Sequence, residues 1–158
     1  MTDPTFELAD AHRWFAKTLN NQAWDLLELE QFTPAQGELM RNTAHAAWRH
    51  WWEIGDVINH QRAECLLAHV HVALGEPAAA VHHAEQSLQL ADEAGESHEA
   101  FDQVFSHDAA ASAYQISGSA HKEQHHRAKV EAARAILTDQ TERQVANKWL
   151  NRRESAAN

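Results

Sequence analysis

The chain has 158 residues, 13 Lys and Arg against 23 Asp and Glu, a formal charge of −10, five glycines and three prolines. That length suits one domain with a real core. Runs of β-branched and aromatic residues with period two are missing, which argues against strands, and an acidic balance repels a phosphate backbone, which argues against nucleic acid as a partner. The single cysteine, Cys65, rules out an internal disulfide and points to a reducing cytoplasm. No apolar run is long enough to cross a bilayer, and Met1-Thr2-Asp3 does not open a secretory signal, so no membrane partner is expected. The expected fold class is all-α, a single domain over residues 1–158.

Residues 7–54 read as a first helix pair. In the helix near 7–29, Trp14, Phe15, Leu19, Ala23, Leu26 and Leu27 supply the apolar side. Asn20 and Asn21 are weak helix formers in its middle, placed there to hydrogen-bond a ligand or the next helix. Thr33, Pro34 and Gln36 have the pattern of an N-cap with its capping box. The helix near 34–54 then carries Trp48, Trp51 and Trp52 at i, i+3 and i+4, all on one side, with Ala44 and Ala47 leaving room beside them. The plainer reading of this cluster is core; the sharper one is the wall of a small-ligand or metal site, formed by Trp48, Arg49, His50 and Trp52 with Asn59 and His60 from the next helix. Asp56 and Asn59 are the candidate caps of that third helix.

Residues 57–95 are the clearest hairpin. Ala63, Leu66, Leu67, Val70 and Leu74 form one stripe, Gly75 turns the chain, and Pro77 opens a helix striped by Ala80, Val81, Ala84, Ser87, Leu88 and Ala91 up to Gly95. Residues 99–137 repeat the pattern more loosely. Phe101, Val104, Phe105, Ala109, Ala113 and Ile116 face inward on one helix, and Val130, Ala133 and Leu137 on the next. A last helix near 139–153, with Val145, Ala146, Trp149 and Leu150 on one face, is expected to cap the array. Residues 1–118 hold 5 Lys and Arg against 18 Asp and Glu, whereas residues 119–158 hold 8 against 5. The basic end therefore complements an acidic body, and the sharper alternative is a contact with a partner or a second copy of the chain.

Leu74-Gly75, Ala80 five residues after the glycine and Ser87-Leu88 twelve and thirteen after it resemble the tetratricopeptide repeat. Ala68 takes the small position of its first helix, and His71 stands where the family often has an aromatic. The echo from Phe105 to Leu137 places Ala111, Tyr114 and Gly118 in the positions of Ala68, His71 and Gly75, with Glu123 in that of Ala80. The two glycines are 43 residues apart, against the family's period of about 34. The resemblance implies a right-handed array of antiparallel helix pairs, about seven helices in all. It also implies a groove, lined by the first helix of each repeat, that holds a protein or peptide or a neighbouring copy. Counting from the glycines puts Arg62, Cys65, His69, Val72 and Ala73, then Phe105, Asp108, Ser112, Gln115 and Ile116 at groove positions. Arg62, Cys65 and His69 also fall off the apolar stripe of their helix. Reversing the charge of Arg62 or Asp108 is expected to weaken binding and leave folding intact.

The thirteen histidines raise the question of a metal. His121 and His125 have the i, i+4 spacing of two ligands on one helix, and His82 with Glu85 is a weaker pair. No HExxH or Cys–His cluster accompanies them, so no cofactor is expected. Cys65 and His69 are also four apart, but no third group or oxyanion donor stands with them. Ser106-His107-Asp108 are helix neighbours that point apart. A non-catalytic interaction module is the leading expectation.

Overall fold

The structure, a computed structural model, describes residues 7–156, apart from the side chains of residues 153–156. Residues 1–3, read above for a secretory signal, lie outside that range. The described chain is all-helical: α1 (Leu8–Leu27), α2 (Pro34–Ile54), α3 (Val57–Ala73), α4 (Pro77–Ala94), a 3-10 turn (Gly95–Ser97), α5 (Ala100–Ile116), α6 (Ala120–Ile136) and α7 (Gln140–Ala156). None of these helices is long and apolar enough to cross a membrane.

The helix ends follow from local chemistry. Thr33 Oγ1 accepts from the Gln36 N–H while the Thr33 N–H donates to Gln36 Oε1, with Pro34 at the first helical position. Asp56 is the cap of α3 and Asn59 its reciprocal partner, so the two candidates turn out to be halves of one capping box. At the far ends, Gly75 and Gly118 adopt φ of +69° and +80°. In both turns the residue after the glycine donates back into the helix, Glu76 N–H to the His71 carbonyl and Ser119 N–H to the Tyr114 carbonyl, each at 2.9 Å. Two turns of one construction thus close α3 and α5.

Consecutive helices pack as three hairpins, α1 with α2, α3 with α4 and α5 with α6. The first helices lie side by side, α3 touching both α1 and α5, while α2 packs on α3 and α4 on α5 behind them. Small residues set the spacing. Cys65, Ala68, Ala80, Ala84, Ala109, Ala110 and Ala113 form an alanine-rich core with Tyr114 between α3, α4 and α5. The larger core gathers Leu27, Met40, Leu66, Leu67, Val70, Val104, Val130 and Leu137.

Several expectations change, and Trp52, Ile116 and Val145, expected to face inward, are exposed. Trp14 and Phe15 of α1 are exposed, Trp14 by 61%; of the expected stripe Ala23 and Leu27 are buried, together with Ala16, and α2 buries Ala44 and Ala47. Two helices can approach closely only through small side chains, so the bulky rings are left outside. The last helix does more than cap. Ala146, Trp149 and Leu150 share a core with Val130, Ala133 and Leu137 at the α6 end. Trp149 also reaches Trp24 of α1 (ring centroids 5.2 Å apart), His69 of α3 (5.1 Å) and Phe105 of α5 (6.1 Å). Helix α7 therefore lies across the face made by α1, α3 and α5.

Candidate functional site

That face is where the groove residues were expected, and α7 divides it into two hollows with Trp149 in the wall of both. The first is a cleft of about 510 Å³ between α1, α3, α5 and α7. Trp24, Phe101, Phe105 and Trp149 give it aromatic walls; Gln61, Cys65, Arg62 and Asp102 come from α3 and α5; Asn20, Glu28, Lys148 and Arg152 add a polar border. The second, about 730 Å³, brings together His69, Val72, Ala73, Asp108, Gln115 and Ile116 with Arg127, whereas Ser112, also expected in the groove, is fully buried and lines neither hollow.

The chemistry of the two differs. In the second hollow Asp108, Gln115 and Arg127 are engaged within the chain. Asp108 is fully buried and accepts from Arg127 Nη1 at 2.7 Å and from Trp149 Nε1 at 2.9 Å. Arg127 also donates to Ser112 Oγ and Gln115 Oε1, both at 3.4 Å. Asp108 is thus a structural anchor of α6 and α7. A lysine in its place would bury a second cation beside Arg127 and undo the fold, which corrects the expectation that charge reversal there spares it. His69 is buried under Trp149, with its Nε2 3.2 Å from the Phe105 carbonyl.

In the cleft, Arg62 grips Asp102 in two parallel hydrogen bonds, Nε to Oδ1 at 2.7 Å and Nη2 to Oδ2 at 2.9 Å. Asp102 is buried and Arg62 half-exposed, so the guanidinium presents its outer edge to the opening. Gln61 is 1% exposed; its Nε2 donates to Ser87 Oγ at 2.9 Å, and its Oε1 has no hydrogen-bond partner among the described residues. Asn20, unexplained in mid-helix by sequence alone, lines the same cleft and donates to Asn21 Oδ1. Burial, helped by the nearby carboxylates Asp102 and Asp108, pushes the Cys65 thiol far up. It stays protonated at neutral pH and is no nucleophile. Asp102 and Gln61 escaped sequence reasoning because each gains meaning only from its partner, Arg62 or Ser87, across a helix interface.

The tryptophan corner comes together in part, the rings of Trp48 and Trp52 lying 5.5 Å apart. His60 stacks on Trp52 with centroids 4.0 Å apart and holds the Trp51 carbonyl at 3.2 Å, while Asn59 is spent in its capping box. Arg49 pairs with Glu53. His50 turns toward α1, its Nδ1 2.9 Å from that of His12 and its ring stacked on Phe15. Trp48 also donates to Glu64 Oε1 at 2.7 Å. His121 and His125 are both exposed on α6, and His82 is exposed on α4. A different set does converge: His45, His71 and His83 each offer a ligand atom within 4.8 Å of the others. Sequence spacing does not show it, because the three come from three helices. Against known family models, curated proteins and solved structures, the chain matches none.

Proposed function

We propose that the chain is a non-catalytic, tetratricopeptide-like binding module whose recognition site is the cleft between α1, α3, α5 and α7. Its occupant is a segment of a partner protein that inserts one aromatic side chain between Trp24, Phe101, Phe105 and Trp149. The observation that carries this reading is the coincidence of aromatic walls, a buried Gln61 with a spare acceptor, and a border of Arg62, Lys148, Arg152 and Glu28. An aromatic anchor in a pocket ringed by polar groups is how protein interfaces concentrate their energy. Burying such a ring removes about 150–250 Å² from water, which contributes on the order of 4–6 kcal/mol before ordering costs. Three hairpins with their first helices in one layer, and the matched turns at Gly75 and Gly118, support the tetratricopeptide-like description.

The test is selection from a random displayed peptide library against the full chain, repeated with Val145→Trp. Val145 lines the cleft from α7 and is 46% exposed, so an indole there fills the cleft without disturbing the core. Enriched peptides should share an aromatic residue and bind the variant at least about tenfold more weakly. Peptides that bind both forms equally, or no enrichment at all, would sink the proposal.

A further inference from the structure

A second site lies on the other side of the molecule's hairpins, built by α2, α3 and α4, and it owes nothing to the cleft. His71 stands in the last turn of α3 and is 5% exposed; His83 is partly buried on α4; His45 is exposed on α2. Their ligand atoms all lie within 4.8 Å of one another. The rings of His71 and His83 run parallel, centroids 5.1 Å apart and planes 6° from each other, and His45 faces both edge-on at 5.6 and 5.8 Å.

What separates this cluster from ordinary packed histidines is how its far nitrogens are held. His71 Nδ1 is 2.6 Å from Glu76 Oε2, and His83 Nδ1 is 2.6 Å from Glu64 Oε2. Each carboxylate is fixed in turn: Glu64 accepts from Trp48 Nε1 at 2.7 Å, and Glu76 is paired with Arg41. With Nδ1 committed as the donor, the Nε2 of both rings is left as a bare lone pair. For His71 that Nε2 is buried and has no hydrogen-bond partner among the described residues. A buried acceptor without a donor is costly; a metal ion would satisfy it. A carboxylate behind the distal nitrogen is also the arrangement that orients metal-binding imidazoles and strengthens them as ligands.

We propose that His45, His71 and His83 form a three-histidine site for a divalent transition metal, zinc by preference, with Glu64 and Glu76 as the residues that position two of the ligands. Zinc takes imidazole nitrogens at about 2.0–2.1 Å in a tetrahedron, which requires nitrogens roughly 3.4 Å apart. Closing from within 4.8 Å takes side-chain shifts on the order of 1 Å, and exposed His45 is free to make most of them. The exposure of His45 leaves the fourth position to water. Because α2 belongs to one hairpin and α3 and α4 to the next, a bound ion ties the first two hairpins together.

The test uses full-length protein made without a histidine tag or nickel resin, stripped with chelator and titrated with Zn²⁺ in competition with a chromophoric chelator. The expected result is one tight zinc per chain, a melting temperature raised by several degrees on loading, and a tetrahedral visible spectrum with Co²⁺. His45→Ala removes a surface side chain, so its fold should survive, and it should abolish the tight site and the thermal shift. Glu64→Gln should weaken binding about 10- to 100-fold, and His121→Ala should change nothing. Zinc bound equally by wild type and His45→Ala would mean scattered surface histidines and would overturn the site, as would no tight zinc at all.

Discussion

Neighbouring residues with the same hydropathy part company once the helices pack. Trp14 and Phe15 stay outside, whereas Ala16, next in the chain, is fully buried. Which residues share a stripe could be read from sequence; which of two adjacent stripes faces the neighbour could not. Polar residues show the same limit. Arg62 was legible as lying off the apolar stripe, but its partner Asp102 stands 40 residues away. Titration offers a check at this scale. His107 on α5 packs against His126, their Nδ1 atoms 3.0 Å apart, with His98, His125 and Lys129 nearby. Burial first, and then the repulsion of those groups, depresses it from the ordinary 6.5 to about 4. The unfolded chain therefore binds the extra proton between those values, so the contribution of His107 is complete above pH 6.5 and is lost as pH falls toward 4. Screened by solvent, it amounts to on the order of 1 kcal/mol. Urea unfolding of wild type and His107→Gln at several pH values should show their stability difference changing by that amount across the window. A difference independent of pH would mean that the ring is not held as described.

At the scale of the element, the all-helical character and the signals that start and end helices were legible. The capping boxes at Thr33 and Asp56 and the glycines at the ends of α3 and α5 act within a few residues, so they are written locally. The hairpin from 57 to 95 appears where its stripes place it, and its register sets Gln61 beside Ser87 and Glu64 beside His83. What periodicity could not supply is His45, which meets His71 and His83 only because α2 packs on α3. The glycines separate two kinds of constraint. A Cβ at Gly75 or Gly118 would meet nothing within 4 Å, so alanine there costs only its left-handed backbone, about 1 kcal/mol each. Gly55 has an ordinary φ of −85°, yet its Cβ would lie 2.6 Å from the Trp51 carbonyl oxygen and 2.8 Å from Asn59 Cβ. Chemical denaturation of the three alanine variants should rank Gly55→Ala as the most damaging. A harmless Gly55→Ala would mean that the α2–α3 corner has slack that the capping boxes do not show.

Across the whole molecule, the charge asymmetry of the sequence becomes contact. Arg127 meets Asp108, and Lys148 meets Glu28 at 2.8 Å, 120 residues apart. Basic residues of α6 and α7 thus meet acidic residues of α5 and of the end of α1. The path of α7 was not legible, since nothing local tells a capping helix to extend from the α6 end to Trp24. Its reason is the apolar surface that Trp24, Phe101 and Phe105 leave between the first helices of the hairpins, which Trp149 covers in part. The cleft exists only because of that placement.

The most direct test of the account is therefore where α7 sits. With Cys65 replaced by alanine, cysteines at Glu28 and Lys148 are treated with a short bismaleimide, and each single-cysteine variant serves as the comparison. Near-complete intramolecular cross-linking of the Glu28–Lys148 pair is the expected result. No cross-linking of that pair in the folded protein would place α7 away from α1, and would remove the cleft and the binding site with it.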